Sequence, residues 1–335
     1  MKVYEDHSST YSDALDHYWN LKEFCTDDKD TALFAGWEYM DNYSLYKDEI
    51  KKYKNPVFFN TEHPCVFQGT DPHMISLSTD SNRNFNKVYS ACLYTIEWLN
   101  YREGGNRFGQ IHNPFNTEYI VDERPQKEYD ALYWGGLHNI DHMDIIDIIK
   151  EHKYNFLSVS PETWSLWNAK ERWDWYSGPY PSIQQYANYL THLNLKRTLM
   201  WEMIRKTKVN VMTNLLYTDD NINKNIREND KWEKNKAWSQ LDQYIIPQIK
   251  TRPIETAVNR CLMVVKKDPW NYQELLFEPD KEFIYYHDKK ELQYILEDVK
   301  INWKNYEPIV ENAFNKAINN WTTKHFIEKI EKETL

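Results

Sequence analysis

Residues 250–286 read KTRPIETAVNRCLMVVKKDPWNYQELLFEPDKEFIYY, and this stretch decides the fold class. Its two apolar runs, Cys261–Val265 and Phe283–Tyr286, predict buried strands. Proline suits the first turn of a helix, where a missing N–H has no consequence, so Pro253–Arg260 predicts a helix. A helix followed directly by a buried strand is typical of βαβ units, and it predicts a parallel sheet.

The same alternation continues on the N-terminal side of this stretch and beyond it. Short apolar runs predict further strands at Lys2–Tyr4, Ala32–Ala35, Pro56–Asn60, Lys87–Ala91, Asp130–Trp134, Asn155–Val159 and Val209–Leu216. Apolar residues at helical spacing predict helices at Ser12–Cys25, Tyr43–Tyr53, His142–His152, Lys196–Lys206 and Lys289–Val299, with one or two more between Trp303 and Ile330. Each half of the chain is therefore predicted to contain a parallel sheet with helices.

Residues Asn113–Pro125 contain two prolines and no apolar periodicity, so we interpret them as a linker. We expect an N-terminal acceptor-side domain at 1–125, a donor domain at 126–305 and C-terminal helices at 306–335. The predicted fold class is α/β, with two doubly wound, Rossmann-like domains that face a cleft. In open α/β sheets, ligands bind beyond the carboxyl ends of the strands, so polar residues that follow strands are the candidate site residues.

The composition disfavours several classes of function. The chain has 8 glycines and none after Gly178, so neither the glycine-rich dinucleotide motif nor the phosphate loop of ATPases occurs. Its four cysteines form no C-x-x-C pair, which disfavours a disulfide framework and a cysteine zinc site. No stretch approaches the roughly 20 apolar residues of a membrane span, and the N-terminus lacks the order of a secretory signal. We therefore expect a cytoplasmic protein without a membrane span, in the host cytoplasm if it is viral.

Two features of the composition bear on the partner. Residues 1–128 contain 13 Lys and Arg against 21 Asp and Glu, and they carry −8 of the net charge of −10. Because nucleic-acid affinity comes mainly from counterion release by Lys and Arg, this distribution disfavours DNA as the partner without excluding a local basic groove. The aromatic share of 16% is high, and we expect most rings in the core and a minority stacked on a sugar or base.

Glu62 and His63 follow the predicted strand Pro56–Asn60. Both side chains are competent general bases, provided that an acceptor hydroxyl comes within hydrogen-bond reach. The alternative is that either side chain only caps a loop. We take Glu62 as the candidate catalytic base and His63 as its substitute.

Gly135 and Gly136 follow the predicted strand Asp130–Trp134 and precede a helical pattern. Backbone N–H groups at such a turn can face an anion such as a diphosphate, and His138 and Asn139 on the same loop would add donors. The alternative is a tight turn that binds nothing.

Four polar residues of the stretch quoted first complete the candidate donor site. Arg252 and Glu255 are three residues apart at a helix start, so both side chains can point into one crevice. The guanidinium suits phosphate, and the carboxylate suits the two hydroxyls of a ribose. An intrahelical ion pair between them is the alternative. Asp268 and Glu274, in the loop after the next strand, are candidates for contacts with a sugar, unless this loop is only a turn around a buried tryptophan.

Together these segments resemble the GT-B nucleotide-sugar glycosyltransferases, from about residue 56 to the end of the chain. The stretch quoted first is similar to the family's R-x-x-E helix, valine-rich strand, loop, E-x-x-F-x-P turn and final strand. The resemblance implies that Arg252 contacts the donor phosphate, Glu255 the ribose and the Gly135-Gly136 turn the diphosphate. It also implies an acidic catalytic base, here Glu62, and a C-terminal helix that crosses back to the first domain.

We interpret the chain as a transferase that moves a sugar from a nucleotide diphosphate donor, first of all a UDP-sugar, to a hydroxyl acceptor on a glycan, lipid or protein. The E-x7-E pattern of retaining relatives is absent, because Pro247 stands eight residues before Glu255, and this favours inversion. No carboxylate cluster has metal-ligand spacing, so we expect no metal or other cofactor. Two alternatives are a phage-type enzyme acting on hydroxymethylated DNA bases and a non-catalytic module that binds sugar nucleotides or serves as structure.

Overall fold

The protein divides into two compact units, each with its own sheet. One unit comprises Met1–Thr117, Asp220–Thr251 and Asn320–Leu335, and the other comprises Glu118–Asp219 and Arg252–Asn319. We call them unit 1 and unit 2. The computed structural model describes residues 1–5, 19–36, 43–60, 84–93, 96, 100, 107–134, 145, 148, 156–159, 197–217, 245–247, 249 and 251–334.

Unit 1 contains a sheet of five parallel strands. They are β1 (Lys2–Glu5), β2 (Thr31–Ala35), β3 (Asn55–Asn60), β4 (Lys87–Ser90) and β5 (Phe108–Gln110), and they lie side by side in chain order. Helix α1 (Tyr43–Ile50) stands between β2 and β3 in the chain. Every residue of β2 is buried, as are all but the first of β3, which agrees with a parallel sheet covered on both faces.

Unit 2 contains a second sheet of five parallel strands. They are β6 (Tyr129–Trp134), β7 (Phe156–Val159), β8 (Thr207–Met212), β11 (Leu262–Lys266) and β12 (Ile284–Tyr286), in the spatial order β12-β11-β8-β6-β7. The other elements from here to residue 320 are α2 (Arg197–Arg205), β9 (Leu215–Tyr217), β10 (Ile245–Pro247), α3 (Arg252–Val258) and α4 (Lys289–Asn320). Because β6 lies between β7 and β8, the strand order reverses at β6, as it does in doubly wound sheets.

Helix α4 packs on the second sheet through its apolar stripe. Leu292 and Leu296 are buried in one cluster with Ala131, Val209 and Val264 of the strands. Burial of each large aliphatic side chain contributes about 1.5–3 kcal/mol, so this contact is a main source of the stability of unit 2. The helix is broken at a residue with non-helical backbone angles, and its two parts match the helix predicted from residue 289 and the first helical segment predicted after it.

The C-terminal helix α5 (Thr323–Thr334) packs on the first sheet. The ring of Phe326 lies 4.9 Å from that of Phe59 on β3. The hydroxyl of Tyr89 on β4 donates to the Glu333 carboxylate at 2.8 Å. The chain thus returns to unit 1 after α4, as the predicted fold class requires, and the predicted α/β class with two parallel sheets is confirmed.

Two predicted elements are wrong in part. The end of the predicted helix Ser12–Cys25 is only a 3-10 turn at Leu21–Phe24, because Asn20 before it has a left-handed φ of 51°, which an α-helix does not accommodate. The predicted strand Val209–Leu216 is two strands, β8 and β9. They are separated where the hydroxyl of Thr213 accepts a hydrogen bond from the N–H of Leu215 at 3.2 Å and forms a local turn.

Candidate functional site

Polar side chains gather at the carboxyl edge of the second sheet. Tyr133 is the penultimate residue of β6, Thr213 and Asn214 follow β8, and Lys267 and Asp268 follow β11. All three strands are parallel, so these residues belong to the same edge. The strand order reverses between β6 and β8, and this is the place where open α/β sheets bind ligands.

Arg252, the first residue of α3, reaches this edge. Its guanidinium donates a hydrogen bond to the hydroxyl of Tyr133. Burial raises the pKa of the Tyr133 hydroxyl, and the adjacent cation opposes this shift only in part. The phenol is therefore a neutral acceptor that holds a permanent positive charge beside the end of β6. The sequence predicted Arg252 as a site residue, whereas Tyr133 was read only as part of a buried strand.

The predicted diphosphate turn follows Tyr133 directly in the chain. Gly135, Gly136, His138 and Asn139 lie outside the described residues. Two peptide units separate Gly135 from Tyr133, so their Cα atoms are at most about 8 Å apart. Connectivity alone therefore brings the first glycine of the turn near the strand end where Arg252 is bound.

The two predicted catalytic residues, Glu62 and His63, also lie outside the described residues. They follow β3 within three residues, and β3 ends at Asn60 as predicted. Their position in the sequence after a strand of the first sheet is established, and their chemical roles stay predictions.

Glu255 lies in the first turn of α3 and is fully buried, with 0% of its surface exposed. Its Oε1 accepts a hydrogen bond from the indole Nε1 of Trp201 on α2 at 3.2 Å. A carboxylate removed from water needs such donors, and the first turn of a helix also favours a negative charge. The sequence predicted Glu255 and missed Trp201, because one tryptophan among 14 gives no signal that its N–H has a special partner.

Thr256 holds the first turn of α3 against β8. Its hydroxyl donates to the backbone carbonyl oxygen of Arg252 at 2.6 Å and accepts from Asn210 Nδ2 at 2.7 Å. Asn210 is fully buried in β8. These bonds fix the segment that carries both Arg252 and Glu255 to the sheet.

Asp268 is 1% exposed, and its carboxylate binds its own loop. It accepts hydrogen bonds from the backbone N–H of Trp270 at 2.9 Å and from that of Tyr272 at 3.2 Å. Burial raises the pKa of this carboxyl group, and the N–H donors oppose the shift. This geometry favours the interpretation of the loop as a turn built around the carboxylate, and a contact between Asp268 and a sugar stays a prediction.

Glu274 is the more exposed acid of the same loop. Its Oε1 lies 3.2 Å from Lys267 Nζ, and the hydroxyl of Tyr285 donates to it at 3.3 Å. The ammonium group of Lys267 also lies 3.9 Å from the centre of the Tyr285 ring. These three side chains form a polar group after β11 and within β12, and donor binding by Glu274 stays a prediction.

Two absences concern the part of the chain that the structure describes. There, no group of three or more His, Cys, Asp or Glu side chains is arranged to hold a metal ion. Among the helices of that part, none combines the length and the apolar character that crossing a membrane requires.

Comparison with known families finds one match over more than half of the chain. A family described as Glycosyl transferase-like matches residues 150–332. This range contains α3, the loop after β11 and most of the second sheet, including Arg252 and Glu255. No protein with a curated description matches the sequence significantly.

Solved structures of similar fold cover nearly the whole chain. HepE from Anabaena, in complex with UDP and glucose, matches with a TM-score of 0.58 and 9% identity over 91% of this chain and 77% of its own. TarM from S. aureus, in complex with fondaparinux, alpha-GlcNAc-glycerol and UDP, matches with a TM-score of 0.55 and 12% identity over 93% of this chain. The pneumococcal O-GlcNAc transferase GtfA, in complex with UDP and GlcNAc, gives 0.53 and 9% over 94%. This chain spans 57% of the length of TarM and 58% of that of GtfA.

Proposed function

The chain belongs to the Glycosyl transferase-like family, and on this premise we propose that it moves a sugar from a nucleotide diphosphate donor to a hydroxyl acceptor. Its fold is the GT-B fold, which supports this activity. HepE and GtfA were both solved with UDP, so a UDP-sugar is the donor that we propose first. The acceptor hydroxyl belongs to a glycan, lipid or protein.

The hydrogen bond between Arg252 and Tyr133 is the main support for this proposal. It holds a guanidinium beside the strand that ends directly before the Gly135-Gly136 turn. When the sugar leaves, negative charge develops on the diphosphate. A fixed cation and backbone N–H groups would stabilise that charge, and such preorganised donors contribute on the order of several kcal/mol.

Glu255 is the proposed acceptor for the ribose hydroxyls. Its carboxylate is dehydrated in the folded chain and already has the Trp201 indole as a donor. Ribose binding therefore requires no further loss of carboxylate hydration. Because Glu255 has no exposed surface, the nucleotide reaches it only when the side chains that cover it move.

On the acceptor side, we propose that Glu62 removes the proton of the attacking hydroxyl, with His63 as the substitute base. Direct attack on the donor sugar from the face opposite the leaving diphosphate inverts the configuration of that sugar. Arg252 and the backbone N–H groups carry the leaving-group charge in this scheme, so the reaction needs no divalent metal.

A donor-hydrolysis screen tests the proposal. Purified protein is incubated with UDP- and GDP-sugars, with and without EDTA, and the released nucleotide diphosphate is measured. We expect release from one donor class, unchanged by EDTA. We also expect Arg252→Gln to weaken UDP binding about 10-fold or more, since a charged hydrogen bond contributes about 1.5–3 kcal/mol.

Arg124→Gln is the matched control, because Arg124 is an exposed arginine of the same unit that pairs with Glu311. It should bind the donor as the wild type does. If no sugar nucleotide is hydrolysed and none raises the melting temperature, the protein is a non-catalytic module and the proposal is wrong. Transfer only to hydroxymethylated duplex DNA would replace the proposed acceptor with the DNA base.

A further inference from the structure

We propose that Trp201 is a positioning residue that gives the donor site its preference for ribose over deoxyribose, and that it acts through Glu255. This inference rests on the proposed function, since it requires that Glu255 binds the nucleotide. Nothing in the pattern of the sequence sets Trp201 apart from the other tryptophans. Its position in the structure does.

The indole of Trp201 can only donate a hydrogen bond, and it donates to Glu255 Oε1 at 3.2 Å. Both side chains are buried, so bulk water does not compete for this bond. A carboxylate has about four acceptor positions, and one N–H occupies a single one of them. The bond therefore orients the carboxylate without preventing it from accepting further hydrogen bonds from hydroxyl groups.

The indole itself is held from its other side by Tyr119. The two ring centres are 4.6 Å apart and the planes are tilted by 53°. Tyr119 belongs to a 3-10 turn, Thr117–Tyr119, at the point where the chain enters unit 2. Trp201 thus lies between this turn and Glu255, which restricts rotation of the indole.

The backbone that carries Glu255 is fixed as well. The bond from Asn210 to Thr256 attaches the first turn of α3 to β8. With the backbone fixed, the remaining freedom of Glu255 is in its side-chain torsions, and the indole N–H restricts those. An oriented carboxylate can accept hydrogen bonds from both hydroxyls of a ribose, whereas a rotating one loses part of this advantage.

The consequence is a specific change in binding when the N–H is removed. Phosphate contacts by Arg252 do not depend on the indole, so affinity for a 2′-deoxynucleotide should change little. Affinity for the ribonucleotide should fall, because its 2′-hydroxyl loses an oriented acceptor. Ribose contacts are made equally before and during sugar transfer, so the donor KM should rise while kcat stays nearly constant.

The test compares Trp201→Phe with Trp303→Phe, using the full chain. Trp303 is a partly buried tryptophan of the same unit that packs on the core cluster, so the same substitution there controls for general loss of packing. Calorimetry gives the dissociation constants of UDP and 2′-deoxy-UDP. We expect the wild type to prefer UDP by about 10-fold or more, and Trp201→Phe by less than about 3-fold. Trp303→Phe should keep the wild-type ratio.

Three outcomes separate the possibilities. A wild-type preference that survives in Trp201→Phe would overturn the inference while leaving the proposed function intact. Absence of UDP binding in the wild type, with GDP and 2′-deoxy-GDP also failing to bind, would overturn the proposed function and this inference with it. If Trp201→Phe does not fold, Tyr119→Leu takes its place. It should lower the ribose preference about 2- to 5-fold by loosening the indole, and an unchanged preference overturns the inference.

Discussion

The hydroxyl of Tyr133 accepts a hydrogen bond from Arg252, and this contact joins the end of β6 to the beginning of α3. The two residues are 119 positions apart in the sequence, yet both lie at the carboxyl edge of the second sheet. Because a guanidinium keeps its charge at every accessible pH, the phenol fixes the place of a permanent cation. The location of that cation next to the Gly135-Gly136 turn leads to the first prediction.

Tyr133→Phe should weaken donor binding without unfolding the protein. The substitution keeps the buried ring and removes only the hydroxyl that holds Arg252. We expect the dissociation constant of UDP to rise about 3- to 10-fold, which corresponds to the loss of one hydrogen bond. Titration calorimetry measures this directly. Tyr286→Phe is the control, because Tyr286 is buried in the same core cluster on β12. Equal affinities in the two variants would contradict the role of Tyr133.

Asp268→Asn should destabilise the protein more than it changes donor binding. The carboxylate accepts three hydrogen-bond contacts from the N–H groups of Trp270 and Tyr272, and an amide has only one oxygen to offer them. We expect a loss of about 1–3 kcal/mol in the free energy of unfolding, measured in urea. Glu274→Gln, an exposed change in the same loop, should leave stability nearly unchanged. A stable Asp268→Asn variant with a much higher donor KM would instead show that Asp268 binds the sugar.

Much of the fold could be predicted because buried parallel strands are short, continuous apolar runs. The strands from Thr31, Asn55, Tyr129 and Leu262 all begin within one or two residues of their predicted positions. Strand β5 was missed because its sequence FGQ has a glycine at its centre, which is a weak strand signal. The glycine is required by a neighbour that the sequence does not reveal, since a Cβ at Gly109 would lie 2.9 Å from the ring of Tyr89.

The site was predictable only where residue type and position in the chain determine the chemistry. Arg252 and Glu255 stand out as charged residues at a helix start, and the structure attaches that helix start to the sheet. Their partners Tyr133 and Trp201 could not be identified, because a buried aromatic residue looks the same whether or not its polar atom is used. The direction of a side chain decides the role of Asp268, and the sequence does not determine that direction.

Glu62→Gln should abolish sugar transfer and leave donor binding nearly intact. The amide keeps the size of the side chain but cannot accept the proton of the attacking hydroxyl. We expect the transfer rate to fall at least 100-fold, in line with the usual contribution of a general base, while the dissociation constant of UDP changes less than about 2-fold. Transfer is followed with a labelled donor. His63→Gln is the matched control. If it loses activity while Glu62→Gln retains the wild-type rate, the base is His63.

His112 connects the first sheet to the turn before α5. It is buried two residues after β5, and its Nε2 lies 3.3 Å from the carbonyl oxygen of Thr322, so the proton is on Nε2. Its ring lies edge-on to Trp321 at 5.1 Å. Burial lowers the pKa of His112 from 6.5 to about 4, and the positive charge of Lys329 lowers it further. The hydrogen bond to Thr322 opposes this shift only in part.

This depressed pKa makes the stability of the protein depend on pH below neutrality. Between pH 6.5 and about 4 the unfolded chain binds a proton at His112 and the folded chain does not. The stabilisation is therefore complete above pH 6.5 and is lost as the pH falls towards 4. Between pH 7.5 and pH 5 we expect this residue to account for a loss of about 2 kcal/mol. His112→Gln, whose amide can still donate to Thr322, should remove that part of the pH dependence. Urea unfolding at the two pH values measures it, with the exposed His287→Gln as the control. An equal loss in His112→Gln and the wild type would show that His112 is not the group that titrates.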